Sequence, residues 1–265
     1  MPGSVGAVPF ARRMIIASAE GTYETLVKLP DDDVGERWLV RAADGGFAIL
    51  VRLAPSRAAV PSDRNSFVVR IIAATRATSS RVRVPIDRGE FEGRPFAVYP
   101  YRFDVPLRLL IARLHARGLR LAVAPSVAIA VALAEALDAV HDTPDGSGDP
   151  MRLVHGALRT DRVRIAFATD LELDGLGLAP PSGSRGADEV DLARYAAPET
   201  QTAGAVDTRA DVYSIAAVLF ELLSARRFDR ALIRRARALP QGGTPPYTGL
   251  VHGLVSIYHE KGWGA

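Results

Sequence analysis

From Tyr23 to Tyr101 apolar and polar residues mostly alternate, the spacing of strands with one face buried. Trp38-Leu39-Val40 and Phe47 to Leu53 flank Asp44-Gly45-Gly46, which predicts a β-hairpin. Ser62 and Asp63 predict the cap of a helix running to about Thr78, and Val82 to Ile86 and Pro95 to Tyr101 read as two further strands. After Tyr101 the pattern turns helical. Pro106 to Ala116 and Ser126 to Asp142 are predicted helices, the second with Val127, Val131, Ala134 and Leu137 on one face. Thr143 to Asp149 reads as a loop, the stretch from Asp211 to Leu223 as an apolar helix, and Tyr247 to His259 as a further helix. A strand-rich part therefore precedes a helical one, and there is no internal repeat.

Composition narrows the function classes. With 265 residues, 48% hydrophobic and 24% charged, the chain is globular and long enough to bury a substantial core. No run of about 18 apolar residues suggests a membrane span. The patch Met14-Ile15-Ile16 behind Arg12 and Arg13 is too short for a signal peptide, so residues 1–22 read as a leader or an edge strand. The absence of cysteine excludes disulfides and thiolate metal sites and favours a cytoplasmic protein. Net charge is +3, and the arginines are scattered rather than gathered into a block that would suit nucleic acid. His141, His252 and His259 show no metal-ligand spacing, so no metal is expected. Lys28 and Lys261 are the only lysines.

The chemistry-bearing stretch is His155-Gly156-Ala157-Leu158-Arg159-Thr160-Asp161-Arg162-Val163. It resembles the catalytic loop of bacterial Ser/Thr protein kinases, which reads roughly His-Gly-Asp-Leu-Lys-Pro-Glu-Asn-Val/Ile. Further landmarks of that family follow in order: Gly175-Leu176-Gly177 at the Asp-Phe-Gly position, Tyr195-Ala196-Ala197-Pro198-Glu199 at the Ala-Pro-Glu, and Asp211-Val212-Tyr213-Ser214 opening a central helix. The resemblance spans about Tyr23 to Leu223 and is strongest from Leu153 onward. It implies an α+β, two-lobed protein-kinase-like fold, with residues 23–101 as the N-lobe and 102–265 as the C-lobe.

Residue by residue, the resemblance also implies losses. The proton-accepting Asp is Ala157, the γ-phosphate Lys is Arg159, the metal-binding Asn is Arg162, and the metal-binding Asp is Gly175, with Asp174 one residue early. The glycine-rich hairpin corresponds to Leu29 to Glu36, where Gly35 alone remains and Asp31 to Asp33 would repel a triphosphate; these three aspartates read as a solvated acidic turn. The strand lysine falls on Arg52, or on Val51 with a one-residue shift, and its helix partner on Arg70, a repulsive pair; Lys28 is expected at the surface. Tyr99 falls on the gate of the adenine pocket and Pro100 in the hinge. His155, Gly177, Pro198, Glu199 and Asp211 are expected to keep structural roles, with Asp211 a buried, hydrogen-bonded carboxylate.

These readings predict a catalytically dead pseudokinase, not an enzyme and without a cofactor, acting as a protein-interaction, scaffold or allosteric module in bacterial signalling. The alternative is a degenerate kinase fold that binds a nucleotide or other anion between its lobes as a switch, using Arg52, Arg70, Arg159 and Arg162. Expected partners are proteins, an active kinase or its substrate, and neither nucleic acid nor a membrane span. The arginine-rich helix Phe228 to Ala238, with Arg230, Arg234 and Arg235, is the expected partner surface. Ser182, Ser184 and Thr202 are candidate phosphorylation sites. No arginine late in the chain stands where Glu199 would need a partner, which reads as a short C-lobe or a chain cut before the domain ends.

Overall fold

The computed structural model describes residues 13–166, 171–179, 194–201 and 206–224. The chain divides into two compact units, one of residues 1–68 and 85–101 and one of residues 69–84 and 102–265.

The first unit is built on a six-stranded antiparallel sheet. Its strands are β1 (Ile15–Ala17), β2 (Thr22–Leu29), β3 (Gly35–Ala42), β4 (Phe47–Leu53), β5 (Asp87–Phe91) and β6 (Arg94–Pro100), in the spatial order β1-β2-β3-β4-β6-β5. The hairpin predicted at Asp44-Gly45-Gly46 joins β3 to β4, pairing Trp38 with Leu50 and Val40 with Ala48. Ile16, Tyr23, Trp38, Val40, Leu50, Phe96 and Val98 form one apolar cluster, so period-two burial supplies the core of this unit. Asp87 draws the two outer strands together: it accepts from Ser18 beyond β1, and from Tyr23 Oη at 2.8 Å. Burial and this carboxylate push the Tyr23 hydroxyl pKa upward.

One predicted strand is absent. Val82 to Ile86 is irregular, touching β9 (Leu171–Leu173) only through a bridge at Val82, and the strand begins at Asp87 instead. Its apolar residues are met by loop packing and by a salt-bridge cluster rather than a ladder. Arg83 pairs with Asp104 and, at 2.7 Å, with Glu172, while Arg164 reaches Asp104 at 2.6 Å. Burial opposes the charge on Arg83, but Asp104, Glu172 and Asp174 outweigh it and raise its pKa.

After α1 (Pro55–Ala58), helix α2 (Pro61–Ala74) belongs to the first unit up to Val68 and to the second from Val69. The rest of the second unit holds β7 (Asp104–Pro106), α3 (Leu107–His115), α4 (Val123–His141), β8 (Val163–Ala166), β9 and α5 (Arg209–Ser224). Strands β7, β8 and β9 make a small antiparallel sheet. Helix α4 buries Ser126, Ala130, Leu133, Ala136, Leu137 and Val140, while Val127 and Val131 are 41% and 51% exposed. Of the four residues expected on the packed face, Leu137 is buried and Val127, Val131 and Ala134 are exposed. Alanine, valine and leucine surround this helix, so hydrophobicity alone carried little information on its orientation. By length and composition α4 is apolar enough to cross a membrane, but Leu133, Ala136, Leu137 and Val140 lie in the core cluster with Tyr213, Ala217, Val218 and Phe220 of α5. One side of the helix is thus packed on α5.

Candidate functional site

The loop from His155 to Arg162 is fixed from beneath by α5. Asp211, in the first turn of that helix, is fully buried and accepts three hydrogen bonds. They come from the His155 amide at 2.9 Å, the Gly156 amide at 2.8 Å, and His141 Nε2 at 2.9 Å. A carboxylate can be buried only when so paired, and here it fixes the loop backbone. Asp211 is thus a buried carboxylate hydrogen-bonded to the loop backbone.

His155 is buried at the head of this loop. Its Nδ1 accepts the Ala157 amide at 3.2 Å, and its Nε2 lies 3.2 Å from the Asp174 carbonyl oxygen, which places the ring proton on Nε2. Burial pushes the His155 pKa below its ordinary value; Asp211 pulls it up and Arg162 pushes it further down. Below about pH 6.5 the unfolded chain takes up a proton that the folded chain refuses, so the stability contribution is intact above that pH and lost on acidification. Melting temperatures are therefore expected to fall between about pH 7 and pH 5, and His155→Gln, which keeps one donor and one acceptor, to flatten that slope.

Three buried positions carry the substituted chemistry. Ala157 offers no proton acceptor, and Arg159 is held by Asp161 at 2.8 Å. Arg162 is buried, and its side chain lies directly over Gly175: a Cβ at Gly175 would sit 2.9 Å from Arg162 Nη1 and 3.2 Å from its Cδ. Gly175 also has φ +88°, in the left-handed region. The two residues thus form one packed pair, the arginine filling space that a side chain at position 175 would need. These residues do not fit a divalent cation, because a guanidinium replaces one oxygen ligand and a hydrogen atom the other. Among the described residues no group of three or more His, Asp or Glu is arranged to hold a metal. Arg162→Asn and Gly175→Asp should each destabilise by about 1–3 kcal/mol, and the double variant by about 1 kcal/mol less than their sum, measured by urea unfolding.

Arg52 and Arg70 each have partners of their own. Arg52 is buried in the first unit, directly opposite Glu36 across β3 and β4. Its Nη2 reaches Glu36 at 2.8 Å and its Nη1 reaches Glu92 at 3.0 Å, while the guanidinium lies 5.0 Å from the Trp38 ring centre. Arg94 adds a second cation to Glu36 at 2.7 Å. Burial pushes the Glu36 pKa up, and the hydrogen bonds from Arg52 and Arg94 outweigh it and hold it below the usual carboxylate range. Arg70, in the second unit, donates to the Ala179 carbonyl at 2.6 Å. The partner of Arg52 therefore comes from the neighbouring strand instead of a helix.

The remaining expected residues are placed as follows. Lys28 is half exposed, 3.4 Å from Asp31 and above the Trp38 ring, as a surface lysine should be. The acidic turn is more ordered than a solvated one, for Asp32 accepts the amides of Val34 and Gly35 at 3.0 and 3.2 Å. Tyr99 is buried in β6, and Gly177 is buried against Arg70 O and Ile71 of α2. Pro198 is exposed and Glu199 half-buried in the short 3₁₀ turn Pro198–Gln201. Arg230, Arg234, Arg235, Ser182, Ser184 and Thr202 lie outside the described residues.

Sequence reasoning missed a buried polar triad. Tyr195 Oη donates to Glu221 at 2.7 Å, and Thr160 Oγ1 lies 3.0 Å from Tyr195 Oη and 3.3 Å from Glu221. Burial, then Glu221, push the Tyr195 pKa upward. The triad ties the end of the loop to α5 and to the Tyr195 segment. A lone glutamate inside Val-Leu-Phe-Glu-Leu-Leu was the available signal, since a charge in a buried stretch must have partners.

Comparison with known proteins agrees with this architecture. No protein-family model matches the chain. The DNA damage-responsive serine/threonine-protein kinase RqkA of Deinococcus radiodurans is 29% identical over 205 residues, 76% of this chain. The chain spans about a third of that relative, 30% of its length. The PknI kinase domain of Mycobacterium tuberculosis superimposes with a TM-score of 0.64 at 23% identity, covering 92% of this chain and 85% of that one. A second structure of the same domain gives 0.63 at 24%, covering 87% and 79%. The protein-kinase-like, α+β fold expected from the motifs is thereby shown. The expectation that the chain is not an enzyme is overturned: the curated relative is named a serine/threonine-protein kinase, and the solved structures are kinase domains. The replacements at Ala157, Arg162 and Gly175 stand as properties of those positions.

Proposed function

We propose that this chain, a bacterial Ser/Thr protein kinase-like domain by its fold, is a cytoplasmic signalling module that works by binding a protein partner. What supports this reading is the contrast within one loop. The buried supports of the loop, Asp211 with His155, Gly156 and His141, are complete, while Arg162 packed on Gly175 closes the place of the metal ligands. The arginine-rich segment with Arg230, Arg234 and Arg235 is the partner surface in this reading. The full chain used as bait in host lysate is expected to retain a discrete protein that Arg230→Glu, Arg234→Glu and Arg235→Glu together release. Retention that ignores these changes overturns the assignment of the surface.

A second reading has Arg159 and Arg162, both buried cations of this loop, favour an anionic ligand without a metal. Titration with ATP, with and without Mg²⁺, separates the two. Stabilisation by free nucleotide, about 2.7 kcal/mol at a hundredfold excess over Kd, supports ligand binding, and an unchanged melting temperature supports the partner reading.

A further inference from the structure

From Val105 to Ala134 the sequence holds no Asp or Glu, yet it carries Arg108, Arg113, Arg117, Arg120 and His115. All five lie on α3 and the turn that follows it, and all are exposed. Elsewhere in the described structure arginines are commonly neutralised, as Arg52, Arg83 and Arg164 are. None of these four arginines is in an ion pair among the described residues. Between them the surface is apolar: Leu109 is 43% exposed, Leu119 53% and Val123 52%, with Ala112, Ala116 and Ala122 also exposed. Leu107, Leu110 and Ile111 hold the other side of α3 on the core, so the basic face has a fixed inner wall.

We propose that α3, its following turn and the first residues of α4 form a peripheral docking surface for anionic membrane lipid. The charge pattern selects an anionic partner, because uncompensated guanidinium groups gather on one face. Arginine suits phosphate headgroups, which its planar fork binds through two hydrogen bonds. The apolar side chains decide between anionic partners. Leu109, Leu119 and Val123 interleave with the arginines, the arrangement that sinks into the boundary between headgroups and acyl chains. The phosphate backbone of a nucleic acid offers them nothing apolar. The site lies wholly within the second unit and does not rest on the partner reading above.

Each arginine near an anionic surface contributes roughly a fivefold gain in partitioning. The test is cosedimentation of the full chain with phosphatidylcholine vesicles, with and without phosphatidylglycerol, at low and high salt. Binding is expected only with phosphatidylglycerol and weakened by salt. Arg113→Ser with Arg117→Ser should reduce it about 20-fold, and Arg108→Ser with Arg120→Ser comparably, with melting temperatures unchanged because no described partner is lost. Leu119→Ser should reduce the binding that survives high salt. The proposal is overturned if phosphatidylglycerol makes no difference, or if both arginine pairs can be removed without effect. It is equally overturned if polyglutamate or duplex DNA is held more tightly than the anionic vesicles, which would assign the surface to an acidic protein or to nucleic acid.

Discussion

Asp211→Ala is expected to destabilise the protein by about 3–5 kcal/mol, the range for removing one partner from a buried charged network. The alanine leaves the amides of His155 and Gly156 buried with no acceptor, together with His141 Nε2. Each such orphan costs on the order of 1–3 kcal/mol. Asp211→Asn keeps one side-chain oxygen and should cost about half as much. His141→Ala should cost less again, since it removes one of three donors and leaves both amides satisfied. Urea unfolding of the three variants gives the ordering. Equal losses for Asp211→Ala and His141→Ala would show that the carboxylate serves the histidine rather than the loop.

Gly35→Ala is expected to cost about 3 kcal/mol or more, although the change adds one methyl group. A Cβ at Gly35 would stand 2.2 Å from Arg52 O, 2.5 Å from Ala54 N and 2.9 Å from Leu53 C. All three are backbone atoms of β4 or the residue after it, so relief requires a strand to move, not a rotamer. Gly21→Ala is the control: nothing lies within 4 Å of its added methyl group, and its effect should fall within about 0.5 kcal/mol. Thermal unfolding of both variants reads the difference directly. The result also bears on meaning. Gly35 survives in the hairpin because β4 passes against it, a requirement independent of any phosphate.

Much of the architecture was legible in the chain. The hairpin at Asp44-Gly45-Gly46, helix α3 and the order of strands before helices followed from local periodicity and turn residues, which act within a few residues. Asp211 was legible for a different reason: it matches the residue that, in the family the chain resembles, accepts hydrogen bonds from the catalytic-loop backbone. The inward face of α4 was misread because alanine, valine and leucine spread round most of the helix, although the exposed Glu135 and Asp138 mark its outer side. The strand expected at Val82 to Ile86 was not, because Arg83 spends its side chain on Asp104 and Glu172, which lie far along the sequence.

The substituted positions divide along the same line. The sequence by itself determined that Ala157, Arg162 and Gly175 stand in the loop and its neighbour, and its motifs implied a kinase-like fold that the structural comparison then showed. The sequence also put arginines, Arg52 and Arg70, at both positions of the ion pair that the resemblance would require. Only the tertiary structure decided that Arg52 is neutralised by Glu36 and Glu92, and that Arg162 and Gly175 are one packed pair. The physical reason is that residue type fixes what a side chain can donate, accept or exclude, whereas its partner is set by strand register and helix packing. Register placed Glu36 opposite Arg52, and the left-handed turn at Gly175 opened the space that Arg162 fills.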